Sequence, residues 1–335
     1  MIDIINNYKI KLIFKTLLVV LCALPNIGMA QQTLIPDLMF ENKLIGLGVD
    51  NVLDGQVETF NIDTITTLDV SNLYISDLSG IEDFNNLKKL YCYQNNLTTL
   101  DLSSNIHLTD LMCDYNQLTN LDLTNNTDLS TLMCGFNQLT NLDLSNQSML
   151  VNLFCYNNNI TYLDVTNNPY LNDVRCADNN LMELDLTYNT NLEVLSCFNN
   201  NLQKLDVSGN YNLRVLFCHN NDLKELNVKN GNNYNFSWSC GLSFYCQGNR
   251  NLNCISVDDP NWATLNWTLD SNQIDQQHYF TTNCETTTGI EDYDLNKELI
   301  MVTDMLGRKT KITKGIPLLF IYNDGTIEKK LIKQQ

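Results

Sequence analysis

The sequence predicts a solenoid of parallel β-strands with little helix, closed at its N-terminal end by a helical cap and followed by a small C-terminal β-domain. Three observations carry that prediction. Cys92, Cys113, Cys134, Cys155, Cys176, Cys197 and Cys218 stand 21 residues apart without exception, and the residues around each one repeat with it. Just ahead of the repeat, residues 36–47 have the pattern of a short amphipathic helix. Beyond residue 288 the pattern changes to alternating apolar runs, and near residue 296 the charge changes sign. A fixed period of this kind means stacked units sharing one core, because no unit can bury its apolar edge alone.

Residues 1–30 read as an export signal. Lys9, Lys11 and Lys15 make a positive start, residues 16–24 form a short apolar run, and Gly28 and Ala30 supply small residues at the −3 and −1 positions of a cleavage site. The run falls short of the roughly 20 residues a membrane span needs, so the chain from residue 31 onward is not expected to span a membrane. A lipid anchor on Cys22 is disfavoured, since Leu21 stands where a small residue is needed. Residues 31–64 form the N-terminal cap, with Asp37 near the start of its helix to satisfy free backbone N–H groups.

The repeat proper runs over residues 65–252. Two residues before each cysteine stands Leu or Val (Leu90, Leu111, Leu132, Leu153, Val174, Leu195, Leu216), and three after it stands Asn (Asn95, Asn116, Asn137, Asn158, Asn179, Asn200, Asn221). One unit reads Leu-x-x-Leu-x-Cys-x-x-Asn-x-Leu-x-x-Leu-Asp-Leu-Ser-x-Asn-x-x. The two-residue alternation in Leu-x-Cys turns Leu and Cys inward and their neighbours outward. The Asn can satisfy backbone groups where the chain leaves the strand, and its repetition builds an Asn ladder.

This unit resembles the leucine-rich-repeat family, whose core is Leu-x-x-Leu-x-Leu-x-x-Asn-x-Leu, with Cys in place of the third Leu. Residues 68–84 (Leu-Asp-Val-Ser-Asn-Leu-Tyr-Ile-Ser-Asp-Leu-Ser-Gly-Ile-Glu-Asp-Phe) resemble the first unit of bacterial internalin-like proteins. The resemblance implies a horseshoe-shaped parallel sheet with a concave strand face, on a surface protein that works by binding.

The outward residues beside each cysteine line that face. Before it come Tyr91, Met112, Met133, Phe154, Arg175, Ser196 and Phe217; after it come Tyr93, Asp114, Gly135, Tyr156, Ala177, Phe198 and His219. Aromatic, Met and Arg side chains are those that interfaces favour, and here they form columns rather than a scatter. The candidate ligand-binding residues are therefore Tyr91, Tyr93, Met112, Met133, Phe154, Tyr156, Arg175, Phe198 and Phe217. The expected ligand is a protein, peptide or glycan on a cell surface. The alternative is a structural spacer or adhesion scaffold without a specific ligand, which needs only polar cover.

A second column runs through Asp101, Asp122, Asp143, Asp164, Asp185 and Asp206, each followed two residues later by Ser or Thr. Like charges about 5 Å apart raise the question of calcium. The spacing matches no EF-hand loop or calcium nonapeptide, so solvated Asp accepting turn hydrogen bonds is the expectation. A row of thiols likewise does not suit zinc, which wants four ligands around a point; the seven cysteines read as small buried hydrophobes. No metal or cofactor is expected.

Residues 253–288 read as a C-terminal cap and linker. Cys240, Cys246, Cys254 and Cys284 fall outside the period. In an oxidising compartment a Cys254–Cys284 disulfide is expected to close the cap. Cys240–Cys246 is a second candidate, and sequence alone leaves three pairings open.

Residues 289–335 form the C-terminal β-domain. Apolar runs at residues 299–303 and 318–322 are strands, and Asn323-Asp-Gly325 before residues 326–333 signals a hairpin. Asp304-Met-Leu-Gly-Arg308, Gly315, Tyr322-Asn-Asp-Gly325 and the final Lys329-Lys-Leu-Ile-Lys333 resemble the C-terminal sorting domain of type IX secretion cargo. The tail departs from it in being short and in lacking an Asn-Pro before the first strand. The resemblance implies a secretion machinery as partner and release or tethering outside the outer membrane.

Charge and motifs bound the function. Residues 31–296 hold 33 acids and 9 bases, whereas residues 297–335 hold four acids and eight bases. An acidic body repels phosphate backbones, so nucleic acid is not an expected partner. The three histidines have no zinc-like spacing, and neither a Gly-x-Ser-x-Gly nor a phosphate-binding glycine loop occurs. His219 beside Cys218 is no dyad, because one points outward and the other inward. The chain is not expected to be an enzyme.

Overall fold

A computed structural model describes residues 31–236, 243–268, 273–284, 299–304, 308–311, 317–323 and 327–331. The expected signal segment, Cys240 and the turn of the C-terminal hairpin lie outside the described residues. Backbone contacts divide the chain into two units, residues 1–282 and 283–335.

In the first unit the chain winds as a solenoid. Strands β3 (Thr67–Asp69), β4 (Lys89–Tyr91), β5 (Asp110–Met112), β6 (Thr131–Met133), β7 (Asn152–Phe154), β8 (Asp173–Arg175), β9 (Val194–Ser196), β11 (Val215–Phe217) and β13 (Phe244–Tyr245) form one parallel sheet in that order. The strands are short because each holds one inward Leu, Val or Phe, and from β4 onward the Cys that follows is already leaving the strand. Those inward residues and all seven period cysteines belong to a single core cluster and are fully buried. Two residues past each cysteine the backbone enters the left-handed region, from Gln94 (φ 55°) to Asn220 (φ 53°), and this turns the chain off the sheet.

The expected Asn ladder fixes that turn. Asn116 accepts from the Leu97 N–H of the preceding unit at 3.0 Å and donates to the carbonyls of Cys92 (2.9 Å) and Cys113 (3.1 Å). Asn137, Asn158, Asn179, Asn200 and Asn221 repeat the arrangement. A second buried ladder runs through Asn105, Asn126, Gln147, Asn168, Asn189 and Asn210 at the last Asn of the unit. Each amide donates back to earlier units, as Asn168 does to the carbonyls of Leu144 and Gln147. Gln replaces Asn at position 147 and still reaches the Leu123 carbonyl at 2.8 Å.

On the other side of the turns the units run extended without pairing until the C-terminal end. There β10 (Lys204–Asp206), β12 (Glu225–Asn227), β14 (Cys254–Ser256) and β15 (Tyr279–Thr281) form a second parallel sheet. The stacking therefore continues into the segment expected to be only cap and linker.

Cys246 corrects the sequence reading, which set it outside the period. Its spacing of 28 residues from Cys218 looks irregular. Nevertheless Leu216 pairs with Phe244 and Phe217 with Tyr245, so Cys246 follows in the register of the column. Asn249, three residues on, donates to the Cys218 and Cys246 carbonyls like every ladder Asn before it. An insertion within residues 230–243 lengthens the loop and leaves the rung intact. Cys246 is a free, buried thiol, which removes a Cys240–Cys246 disulfide, whereas Cys254 and Cys284 are both disulfide-bonded.

Both ends of the core are covered. Helix α1 (Leu38–Gly46) buries Phe40 and Leu44. One Asp37 oxygen accepts from Met39 N and Phe40 N as the N-cap, and the other accepts from Ser76 N and Asp77 N of the first unit. Strands β1 (Gln32–Leu34) and β2 (Gln56–Glu58) add an antiparallel pair that the sequence did not announce. At the far end, Trp267 stacks on Phe244 at 4.0 Å and meets Phe236, Trp262 and Phe280 edge-on. Helix α2 (Thr59–Ile62) and helix α3 (Pro260–Asn266, capped by Asp259) are further α-helical turns, and short 3-10 turns stand at Ile81–Asp83 and Asn233–Asn235.

The second unit contains an antiparallel sheet of β16 (Leu299–Thr303), β17 (Pro317–Tyr322) and β18 (Ile327–Leu331), with β17 in the middle. Both strands expected from the tail are present, and β17 pairs antiparallel with β18 as a hairpin requires.

Candidate ligand face

The strand register lines up the side chains that the sequence singled out. Tyr91, Met112, Met133, Phe154, Arg175, Ser196 and Phe217 are aligned across the sheet. Tyr245 extends that row, and sequence spacing hid it because of the same insertion. The large members are half-buried rather than fully exposed, since each leans on its neighbours along the row. Ser196 is buried, as are Asp114, Gly135 and Ala177 in the row after the cysteines. Small residues beside large ones sink below the surface their neighbours define, so these four do not present themselves outward as expected.

Ring contacts organise the face. Arg175 lies over the Phe154 ring at 4.6 Å and is held flat by Asp173, which accepts from its Nε at 3.0 Å and from a terminal nitrogen at 2.9 Å. Phe198 stacks on His219 at 4.5 Å, and His219 meets Tyr245 edge-on at 5.0 Å. Burial pushes the His219 imidazole below its usual range. A Cβ at Gly135 would meet the Tyr156 ring at 3.0 Å, so that ring lies back across the glycine. Asp114 sits beneath, accepting from Gly135 N at 3.0 Å. Burial pushes its carboxyl up to about 6.

The sequence reading missed two residues at the edge of the face. Tyr115 and Phe136 occupy the left-handed turn position, with φ of 54° and 49°. Their rings stack at 4.1 Å, and Phe136 meets Tyr156 edge-on at 5.5 Å. The signal was present: the other units carry Gln94, Asn157, Asp178, Asn199 and Asn220 there, mostly residue types that tolerate the left-handed region. Aromatic residues in that conformation are outliers of the kind that cluster at functional sites.

The opposite column behaves as expected. Asp122 accepts from the backbone and hydroxyl of Thr124, and Asp164 from those of Thr166. These hydrogen bonds hold Asp101, Asp122, Asp164 and Asp185 below the usual carboxylate range. Among the described residues no group of three His, Cys, Asp or Glu is arranged to hold a metal ion, and no helix is long and apolar enough to cross a membrane. Cys218 is buried beneath the face while His219 stacks on it, so the two do not form a dyad. A different pair exists in the C-terminal cap, where Cys246 Sγ lies 3.7 Å from His278 Nδ1. Both side chains are buried, and burial raises the thiol and lowers the imidazole.

No established family profile matches the chain. A stretch of 42 residues is 55% identical to Internalin J of Listeria monocytogenes, covering 12% of this chain and 5% of that protein. The chain therefore matches only a small part of that relative's length. Among solved structures, internalin C2 of Listeria monocytogenes is 22% identical and aligns over 68% of this chain and 98% of its own, with a TM-score of 0.51. A leucine-rich-repeat protein of Leptospira interrogans is 22% identical over 67% of this chain and 56% of its own, with a TM-score of 0.50. The fold is a leucine-rich-repeat solenoid of internalin-like build.

Proposed function

We propose that the chain is an exported recognition module that binds a cell-surface protein, peptide or glycan on its strand face. The observation that carries this reading is the in-register row from Tyr91 to Phe217, whose large side chains are only half-buried and which is broken at Ser196 alone. A row of aromatic, Met and Arg side chains is a composition that interfaces favour and that bare surfaces avoid. Tyr91, Tyr93, Met112, Met133, Phe154, Tyr156, Arg175, Phe198 and Phe217 are the contact residues of this reading. Two aromatic residues held in a costly backbone conformation beside that row add support.

Export rests on the signal pattern of residues 1–30, and the bonded state of Cys254 and Cys284 suits an oxidising compartment. The C-terminal sheet serves as a type IX sorting domain in this reading, supported by its three antiparallel strands and the motifs along them. The test is to apply the full chain to arrays of surface glycans and extracellular protein domains. A variant with Tyr91, Tyr93, Phe154, Tyr156, Phe198 and Phe217 changed to Ala runs beside it. A ligand bound by the first and lost by a folded second supports recognition. Absence of any ligand moves the reading to a structural spacer.

A further inference from the structure

The strand face has a gap that no neighbouring ring covers, unlike the one at Gly135, which the Tyr156 ring fills. Ala177 replaces the large side chain of its row, and Ser196, one unit on, replaces that of the other row. Both are buried, at 2% and 7% exposure, while Tyr156, Arg175, Phe198 and Phe217 stand higher around them. The two gaps are diagonal neighbours and merge into one recess of about 310 Å³. Two further features keep it open. Tyr156 lies back over Gly135, on the rung before, instead of folding over Ala177. Arg175 is pinned by Asp173 and flattened on Phe154, so it lines the gap without folding across it.

From this geometry we infer that the recess is a socket for one aromatic side chain of a protein partner, carried on a basic segment. The inference rests on the strand face being the binding surface and names what that surface takes. A cavity at the lower end of the about 300–1,000 Å³ range of ligand sites admits one ring system. Its walls are mostly rings and small groups, with Asn157, Arg175 and Asp178 as the polar members. A sugar seated there sheds water from several hydroxyls and finds few replacements, since Asn157 and Asn199 already donate to Asp178 and Arg175 is held by Asp173. An indole or phenol ring has a single polar group to satisfy, and aromatic anchors in desolvated pockets dominate interface energetics. The basic flank follows from charge. Residues 31–296 hold 33 acids against 9 bases, and Asp178 lines the recess. A cationic segment is steered toward such a surface and an acidic one is repelled.

The experiment titrates a blocked Lys-Trp-Lys peptide into the isotopically labelled full chain and follows the backbone amide resonances. A Lys-Ala-Lys peptide and cellohexaose serve as comparison probes. The socket predicts saturable shifts at residues 177, 196 and 198 with the Trp peptide, and at least tenfold weaker binding of the other two probes. Ala177→Phe, and independently Ser196→Leu, fill the gap and abolish those shifts while the circular dichroism spectrum stays the same. Equal response to Lys-Ala-Lys, shifts that map away from these residues, or preferential binding of cellohexaose overturns the socket. Loss of array ligands by the six-alanine variant together with no Trp-peptide response rejects the socket and keeps the face. The Trp peptide binding at the recess while the arrays stay empty supports the socket and removes glycans from the candidate ligands of the face.

Discussion

Tyr115 and Phe136 show at the scale of single residues where stability and recognition pull apart. A bulky L-residue in the left-handed region costs about 1–2 kcal/mol relative to a relaxed one, and Asn carries less of that strain. The ring stack returns about 0.5–1.5 kcal/mol. Replacing both residues by Asn should therefore raise the thermal midpoint by a few degrees while weakening ligand capture. Calorimetry checks this, and a midpoint lowered by several degrees contradicts it. Asp114 gives a second test. Its carboxyl is pushed up to about 6 from an ordinary 3.8 by burial. Its contribution to stability is thus fully present below pH 3.8 and is lost as pH rises through 6. Asp114→Asn keeps an oxygen for the Gly135 N–H and removes the titration. The variant should gain stability relative to the parent between pH 4 and 7, measured by denaturant unfolding at each pH. A parallel pair of pH profiles rejects the assignment.

At the scale of one turn, the ladders matter more than the exposed column. Asn158 accepts from Leu139 N at 2.9 Å and donates to the Cys134 and Cys155 carbonyls at 3.0 and 3.1 Å. Asn158→Ala strands the Leu139 N–H inside the core, at about 1–3 kcal/mol, and takes one of two donors from each carbonyl, leaving Asn137 on Cys134 and Asn179 on Cys155. Asp143→Ala removes only exposed turn hydrogen bonds and should leave the unfolding midpoint where it is. Equal effects of the two changes contradict this division. Much of the turn was legible in the sequence. The Leu-x-Cys-x-x-Asn spacing dictated strand, inward thiol and ladder, and Asp37 marked the cap helix. The second Asn ladder was visible as a repeated residue but not as a hydrogen-bonding role, because its partners lie on earlier turns. The burial of Asp114, Gly135, Ala177 and Ser196 was not legible either. Alternation assigns a face, whereas depth depends on the neighbours' size across the sheet. The recess at Ala177 and Ser196 is a consequence of that second property.

At the scale of the whole chain, the sequence period ends at Cys218 and the structural period does not. Register across the sheet keeps Cys246 in line although the loop before it grew. A strand pairs by its inward residues, and loop length is tolerated as long as those residues arrive in place. All eight of these thiols are buried and free, and burial raises them well above the ordinary range, Cys176 to about 12. Iodoacetamide at neutral pH should therefore label none of them in the native protein and all of them after unfolding in guanidinium. Native labelling of Cys246 alone would place the end of the core one rung earlier.

The claim that organises all three scales is that recognition occurs on the strand face and not on the Asp-lined side. The most direct measurement compares two variants for binding to one array-identified ligand. The first changes Tyr91, Tyr93, Phe154, Tyr156, Phe198 and Phe217 to Ala; the second changes Asp101, Asp122, Asp143 and Asp164 to Ala. Since a few anchors carry most of an interface's energy, at about 2 kcal/mol or more each, the first should weaken binding by at least about 100-fold. The second should bind as the parent does. Retained binding by the first variant, with loss by the second, would move the site to the opposite face.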